Sequence, residues 1–323
     1  MNLPGENLSL IIHYALGEAS SEDTFFIQPQ SSSLTAIRSK LRLISGFSLA
    51  CHRFRQIALR EIFRTYRVTS PLHLHDIDRF PDIYKWVRFL HCPIEIASQV
   101  TEQTYSKFVY LRGVHLYGVA FGLVPILRRL PLTIRELILP FDHANDHALV
   151  LATISRFYNL QKLRVMSSPF EVPPVYDVQC GDIPPHHYSY SSMAAEMMKP
   201  LTLLRVLIID HYLTDTDVHE YHATQCSWHC ASDAFCPTCW EKFGEQTANA
   251  EVVCTEIMAR GLKHLEEVWW KSWFTANAEG YSKVFINRGR GLDGHDSICP
   301  RRERDLLEAS WRKAALSTKL GRK

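Results

Sequence analysis

Three absences narrow the reading of this 323-residue chain. It has no long uninterrupted apolar run, which excludes a membrane-spanning helix of about 20 residues. Its first residues lack a basic stretch followed by an apolar core, so no secretory leader is expected. One-sided charge is missing too: 36 Lys and Arg against 34 Asp and Glu leave a net +2, too little for a generally basic nucleic-acid binder. The G-x-S-x-G elbow, the phosphate-cradling P-loop, the kinase signature and H-E-x-x-H are also absent. Asp142 with His143, and Asp146 with His147, set acid beside base. Adjacent helical residues point in different directions, and a solvated loop explains both pairs. No enzyme is expected.

Apolar residues make up 46% of the chain, enough for a sizeable core in one or two domains. Nine cysteines without a leader are expected as reduced thiols or metal ligands, in the cytoplasm or the nucleus.

The first 66 residues carry three apolar stripes. Leu8, Ile11, Ile12, Ala15 and Leu16 recur at the helical period behind Pro4, whose missing N–H costs nothing in a first helical turn. Leu34, Ile37, Leu41 and Ile44 form a second stripe, and Phe54, Ala58 and Ile62 a third running towards Tyr66. Three helices in so few residues bury only a thin core, so an adjoining domain or a docked partner is expected to complete it.

These residues resemble an F-box, whose usual pattern is Leu-Pro-x-Glu, an Ile-rich helix, then Ser-Leu-x-Cys-x-x-Phe-Arg. The matching positions include Leu3, Pro4, Glu6, Leu8, Ile11, Ile12, Leu41, Ile44, Ser48, Leu49, Cys51, Phe54, Arg55, Ala58 and Tyr66. The chain departs from the family at residues 17–33, a connection longer than expected that carries five serines. The F-box-like domain is assigned to residues 1–68.

From there the pattern L-x-x-L-x-L fits six windows: Val87, Leu90 and Cys92; Leu111, Val114 and Leu116; Ile134, Leu137 and Leu139; Leu160, Leu163 and Val165; Leu204, Leu207 and Ile209; Leu265, Val268 and Trp270. The first four begin 24, 23 and 26 residues apart, inside the roughly 20 to 29 of leucine-rich repeats. Helical stripes such as Leu123, Ile126, Leu127 and Leu130 fill the gaps. The expected fold is therefore α/β, an N-terminal three-helix F-box followed by an irregular leucine-rich-repeat-like solenoid over residues 69–300. A different α/β fold with a parallel sheet would give similar windows.

The last two spacings, 44 and 61 residues, call for insertions at 169–187 and 212–248. The first is proline-rich and reads as a loop. The second holds Cys226, Cys230, Cys236 and Cys239, four thiolates that could surround a structural zinc. A thiol-rich loop without metal is the other reading, and a dithiol redox pair at Cys236 and Cys239 a third. Residues 301–323 hold eight Lys or Arg and three Asp or Glu, and Leu307, Trp311, Ala314 and Ala315 give them an apolar stripe. A basic C-terminal helix and tail is expected there.

In a strand, residues flanking the central apolar position face away from the core. His91, His115, Glu136, Lys162, Arg164, Glu267 and Trp269 occupy such places and are the candidate substrate contacts, with exposed decoration as the alternative. The resemblance implies a substrate receptor of a Skp, cullin and F-box type ubiquitin ligase. The adaptor would dock on Leu3, Pro4, Leu8, Ile11, Ile12, Leu49 and Phe54, and a protein substrate on the repeats. Neither a membrane nor a nucleic acid is an expected partner. A scaffold acting without a ligase, with a small zinc knuckle, is the competing class.

Overall fold

The computed structural model describes residues 52–118, 122–141, 147–167, 185–213, 218, 221, 237–272, 280–290 and 296–303. The fold is mixed α/β, and the chain divides into two compact units, 1–140 and 141–323.

The first unit opens with helix α1 (His52–Ile62), whose Ala58 is fully buried with Ile57 and Ile62 packed against it. The helix stops there. Tyr66, expected at the end of a helical stripe, instead lies in strand β1 (Thr65–Arg67), which pairs in parallel with β2 (Phe89–Pro93). Strand β3 (Gly113–Tyr117) follows, parallel to β2, and β4 (Glu136–Phe141) is parallel to β3. Short helices α2 (Pro71–Asp78), α3 (Asp82–Trp86), α4 (Ile94–Ala97), α5 (Glu102–Ser106) and α6 (Leu123–Arg129) make the crossovers that parallel pairing demands.

One backbone device recurs at the strand entries. The carbonyl of Arg64 accepts from the N–H groups of Arg88 and Phe89 at 2.8 and 3.0 Å. Arg88 does the same for Arg112 and Gly113 at 2.7 and 2.9 Å, and Arg112 for Arg135 and Glu136 at 2.7 and 3.0 Å. Each oxygen thereby uses both lone pairs and pins the start of the next strand.

In the second unit, β5 (Lys162–Ser167), β6 (Val206–Tyr212) and β7 (Glu267–Lys271) are parallel, and β8 (Tyr281–Arg290) and β9 (Asp296–Arg302) extend them antiparallel. The shared-carbonyl device returns: Gln161 accepts from Arg205 and Val206, and Arg205 from Glu266 and Glu267. Helix α7 (His147–Ile154) precedes β5, and α8 (Pro185–Met198) packs against a long helical run. That run comprises α9 (Pro237–Cys239), a π-helical turn (Trp240–Gly244) and α10 (Glu245–Gly261).

The six windows coincide with β2 to β7, and all eighteen of their apolar positions are 5% exposed or less. Two expectations need correction, and a third segment gains a form that spacing left open. Residues 185–187, assigned to a loop, open α8, where Pro185 suits a first turn. Residues 237–248, the end of the second expected insertion, take helical form, with the Trp240 ring covering Gly244 so closely that a Cβ there would lie 2.2 Å from it. Arg301 and Arg302, assigned to a terminal helix, close strand β9. That hairpin was not foreseen: Phe285 stands between Val284 and Ile286, so β8 shows no clean alternation of apolar and polar residues.

The inward face of the hairpin is held to α10 by a buried polar network. Glu251, fully buried, accepts from the Ser282 hydroxyl at 2.6 Å and from Arg302 Nε at 2.7 Å. Burial pushes the Glu251 carboxyl upward, while Arg302, Ser282 and Ser272 pull it back. Beside it Trp270 donates from its indole N–H to Thr255 at 2.9 Å, and Thr255 donates to the Glu251 carbonyl at 2.7 Å. Arg288 caps the C-terminus of α10 through the carbonyls of Ala259 and Leu262. Removing one partner of a buried ion pair strands the other, so Arg302→Ala is expected to lower stability by about 3 to 5 kcal/mol. Urea unfolding of the native and variant chains measures this, and a cost below about 1 kcal/mol would contradict the role given to the pair.

Candidate functional site: the strand face of the second unit

Alternation along the strands places Lys162 and Arg164 of β5, Val206, Ile208 and Asp210 of β6, and Glu267, Trp269 and Lys271 of β7 on one face. The antiparallel register adds Tyr281, Lys283 and Phe285 of β8, opposite Lys271, Trp269 and Glu267. The pairing of β6 with β7 shifts between Ile209 and Tyr212, an irregularity of the kind that re-aims a side chain. Asp210 sits in that shift and meets both Arg164 and Tyr281.

Arg164 Nη2 lies 3.1 Å from Asp210 Oδ2, with both side chains mostly buried, and 2.6 Å from the Tyr281 hydroxyl. Tyr281 donates in turn to Asp210 Oδ1. Burial, followed by the Asp210 carboxylate, drives the Tyr281 phenol well above its ordinary range, so it remains a neutral donor. Lys271 stands 4.7 Å from the Tyr281 ring centroid. Next to this triad, Trp269 donates from Nε1 to Glu267 at 3.0 Å while Lys283 lies 4.1 Å over the indole. The Trp269 and Tyr281 rings, 6.3 Å apart, join the two groups.

This face presents fixed charges and aromatic surface, a chemistry suited to holding a polar ligand in one orientation. Four of the expected contact residues, Lys162, Arg164, Glu267 and Trp269, therefore share one surface. Phe285 on the same face is exposed, but Trp269 is buried rather than projecting as expected. Sequence reading missed Asp210, Lys271, Tyr281 and Lys283. Asp210 and Lys271 were legible as the next steps of the alternation after Ile208 and Trp269, whereas Tyr281 and Lys283 required the unforeseen hairpin.

The corresponding face of the first unit departs from expectation. His91, His115 and Glu136 are buried, His115 to 2% exposure, so they do not project as ligand contacts. The cause is rung-to-rung stacking of rings on neighbouring strands. The His91 and His115 Nδ1 atoms are 3.1 Å apart, one donating and the other accepting. Tyr117 stacks edge-on beside His115, and the Arg67 guanidinium lies 5.5 Å from the Tyr117 ring centroid.

Of the adaptor residues, Leu3, Pro4, Leu8, Ile11, Ile12 and Leu49 lie outside the described residues, as does the 17–33 connection. Phe54 is on α1 and half-buried. Cys226, Cys230 and Cys236 also lie outside them. Cys239 ends α9 and is buried. Among the described residues no group of three or more His, Cys, Asp or Glu is arranged to hold a metal ion, and no helix is long and apolar enough to cross a membrane.

Burial, assisted by Arg67, holds the His91 imidazole down at about 4, against an ordinary value of 6.5. The unfolded chain takes up this proton from about pH 6.5 downward while the folded chain refuses it until about pH 4. Stability from this site is therefore complete above pH 6.5 and lost as pH falls through that window, by about 2 kcal/mol at pH 5. Urea midpoints between pH 7 and pH 5 are expected to fall in the native chain and to fall less in His91→Gln. Equal slopes would contradict the assignment.

No protein-family model matches the chain, and no curated protein matches it either.

Proposed function

We propose that this protein is a substrate-receptor subunit of a Skp, cullin and F-box type ubiquitin ligase. In this reading it is an adaptor and not a catalyst. Its N-terminal helices dock on a Skp-family adaptor, which links it to a cullin. Its second half holds a protein substrate, raising the substrate's effective concentration for ubiquitin transfer.

The observation that carries the reading is the coupling of two patterns. The F-box-like residues from Leu3 to Tyr66 lead directly into strands β2 to β5, whose windows begin at intervals of 24, 23 and 26 residues. Their inner triads are buried and the entries of β2, β3 and β4 share backbone carbonyls, as stacked strand-and-helix repeats require. An irregular leucine-rich-repeat solenoid is part of the proposal, with Lys162, Arg164 and Glu267 in its substrate-binding face. A structural zinc on Cys226, Cys230, Cys236 and Cys239 belongs to the proposal as well, since CPTC brings two thiols within one turn.

A ligase-independent scaffold is the second reading, favoured by the length of the 17–33 connection. The two separate in a pull-down of the full chain with a Skp-family adaptor, native against Leu3→Ala/Pro4→Ala, both checked for folding by circular dichroism. The ligase receptor requires retention of the adaptor by the native chain and its loss in the variant. A folded native chain that retains no adaptor would overturn it in favour of the scaffold.

A further inference from the structure

The strand-entry edge of the first unit carries a feature that the receptor reading does not use. Arg64, Arg88, Arg112 and Arg135 immediately precede β1, β2, β3 and β4. Their backbones are linked in succession by the shared carbonyls, so they occupy consecutive rungs of a parallel ladder. Rungs lie about 4.8 Å apart, which sets the four arginines along roughly 15 Å.

The charge of the β3 and β4 end of this row has no acidic partner among the described residues. Arg64 pairs with Glu61 at 3.9 Å, and Asp82, in the crossover before β2, is engaged by Lys85 at 3.2 Å. Arg112 and Arg135, which form the β3 and β4 end, are exposed. Arg88 is held in place by the Lys85 carbonyl at 2.8 Å and by the Tyr110 ring, 4.6 Å from its guanidinium carbon. Its neighbours Arg112, Arg60 and Arg64 press its charge from several sides.

The second unit supplies an internal comparison. The equivalent strand-entry positions there are Gln161, Arg205 and Glu266, and Arg205 pairs with Glu266 at 3.6 Å. The same backbone geometry thus neutralises itself where the sequence provides an acid. In the first unit it provides four arginines in succession.

We infer that this edge of the first unit is a docking surface for an acidic protein segment. Arginine forks match carboxylate geometry, and a row of them fits an extended chain bearing repeated carboxylates. A protein segment is favoured over a nucleic acid by the apolar surface at the same edge. Val109 and Tyr110 lead into β3 and Leu132 into β4, and all three are exposed. The surface names a substrate class for the receptor proposed above without depending on it, because adaptor binding and peptide binding are read separately.

The test is fluorescence anisotropy of the full chain with a labelled extended peptide of alternating glutamate and leucine. A phosphoserine-and-leucine peptide, a lysine-and-leucine peptide and a single-stranded oligonucleotide complete the probes. Native chain is expected to bind the glutamate peptide, with affinity falling as salt rises, and to ignore the lysine peptide. Arg112→Glu/Arg135→Glu is expected to weaken binding by at least about tenfold, and Arg112→Gln/Arg135→Gln by less. Lys199→Glu, an exposed change in the second unit, is expected to leave binding unchanged. Tighter binding of the phosphoserine peptide would support the surface and assign it to phosphorylated segments. Absence of binding to either acidic peptide, equal binding by the folded Glu variant, or preferential binding of the oligonucleotide would overturn the proposal.

Discussion

The constraint on which the described structure depends is the doubly used carbonyl at the entries of β2, β3, β4, β6 and β7. A backbone oxygen has two lone pairs, and here both are filled by consecutive N–H groups of the following strand, from Arg64 to Arg88 to Arg112 in the first unit. Gln161 and Arg205 repeat the arrangement in the second. A slip of one residue would turn the apolar triads outward, so this anchorage and the burial of Val87, Leu90 and Cys92 and their counterparts enforce one register.

With the register fixed, each strand divides its side chains between two environments. One face is apolar and closed by the crossover helices. The other is chemically specific, and the two units use theirs differently. In the first unit rings stack on rings, and the His91 and His115 pair is sealed within. In the second unit Arg164, Asp210 and Tyr281 lock one another, and Glu267, Trp269 and Lys283 form a neighbouring charged and aromatic group. The entry edge is a third surface, where the residue that supplies the carbonyl also chooses the charge. One backbone rule therefore presents a mostly buried polar face and an exposed basic row.

Much of this architecture was legible because it rests on local spacing. The period of about two dozen residues located β2 to β5, and the same motif found β6 and β7 beyond the irregular intervals. Trp270 was readable as core from its place in the last window. What escaped depends on contacts distant in sequence. Burial of His115 comes from rings on neighbouring rungs, and the place of Tyr281 depends on antiparallel pairing with Lys271. The π-helical turn at Trp240–Gly244 is a matter of ring-on-glycine packing that no periodicity reports. Arg302 looked like part of a basic tail because its partner, Glu251, lies half a hundred residues upstream.

The central claim, that shared carbonyls anchor successive strands, is tested most directly by native-state hydrogen exchange resolved to single amides. The N–H groups of Arg88, Phe89, Arg112, Gly113, Arg135 and Glu136 are expected to exchange as slowly as those within the strands, and those of Arg205, Val206, Glu266 and Glu267 likewise. Exchange of both members of these pairs at the rate of open loops, with the strand interiors still protected, would contradict the account.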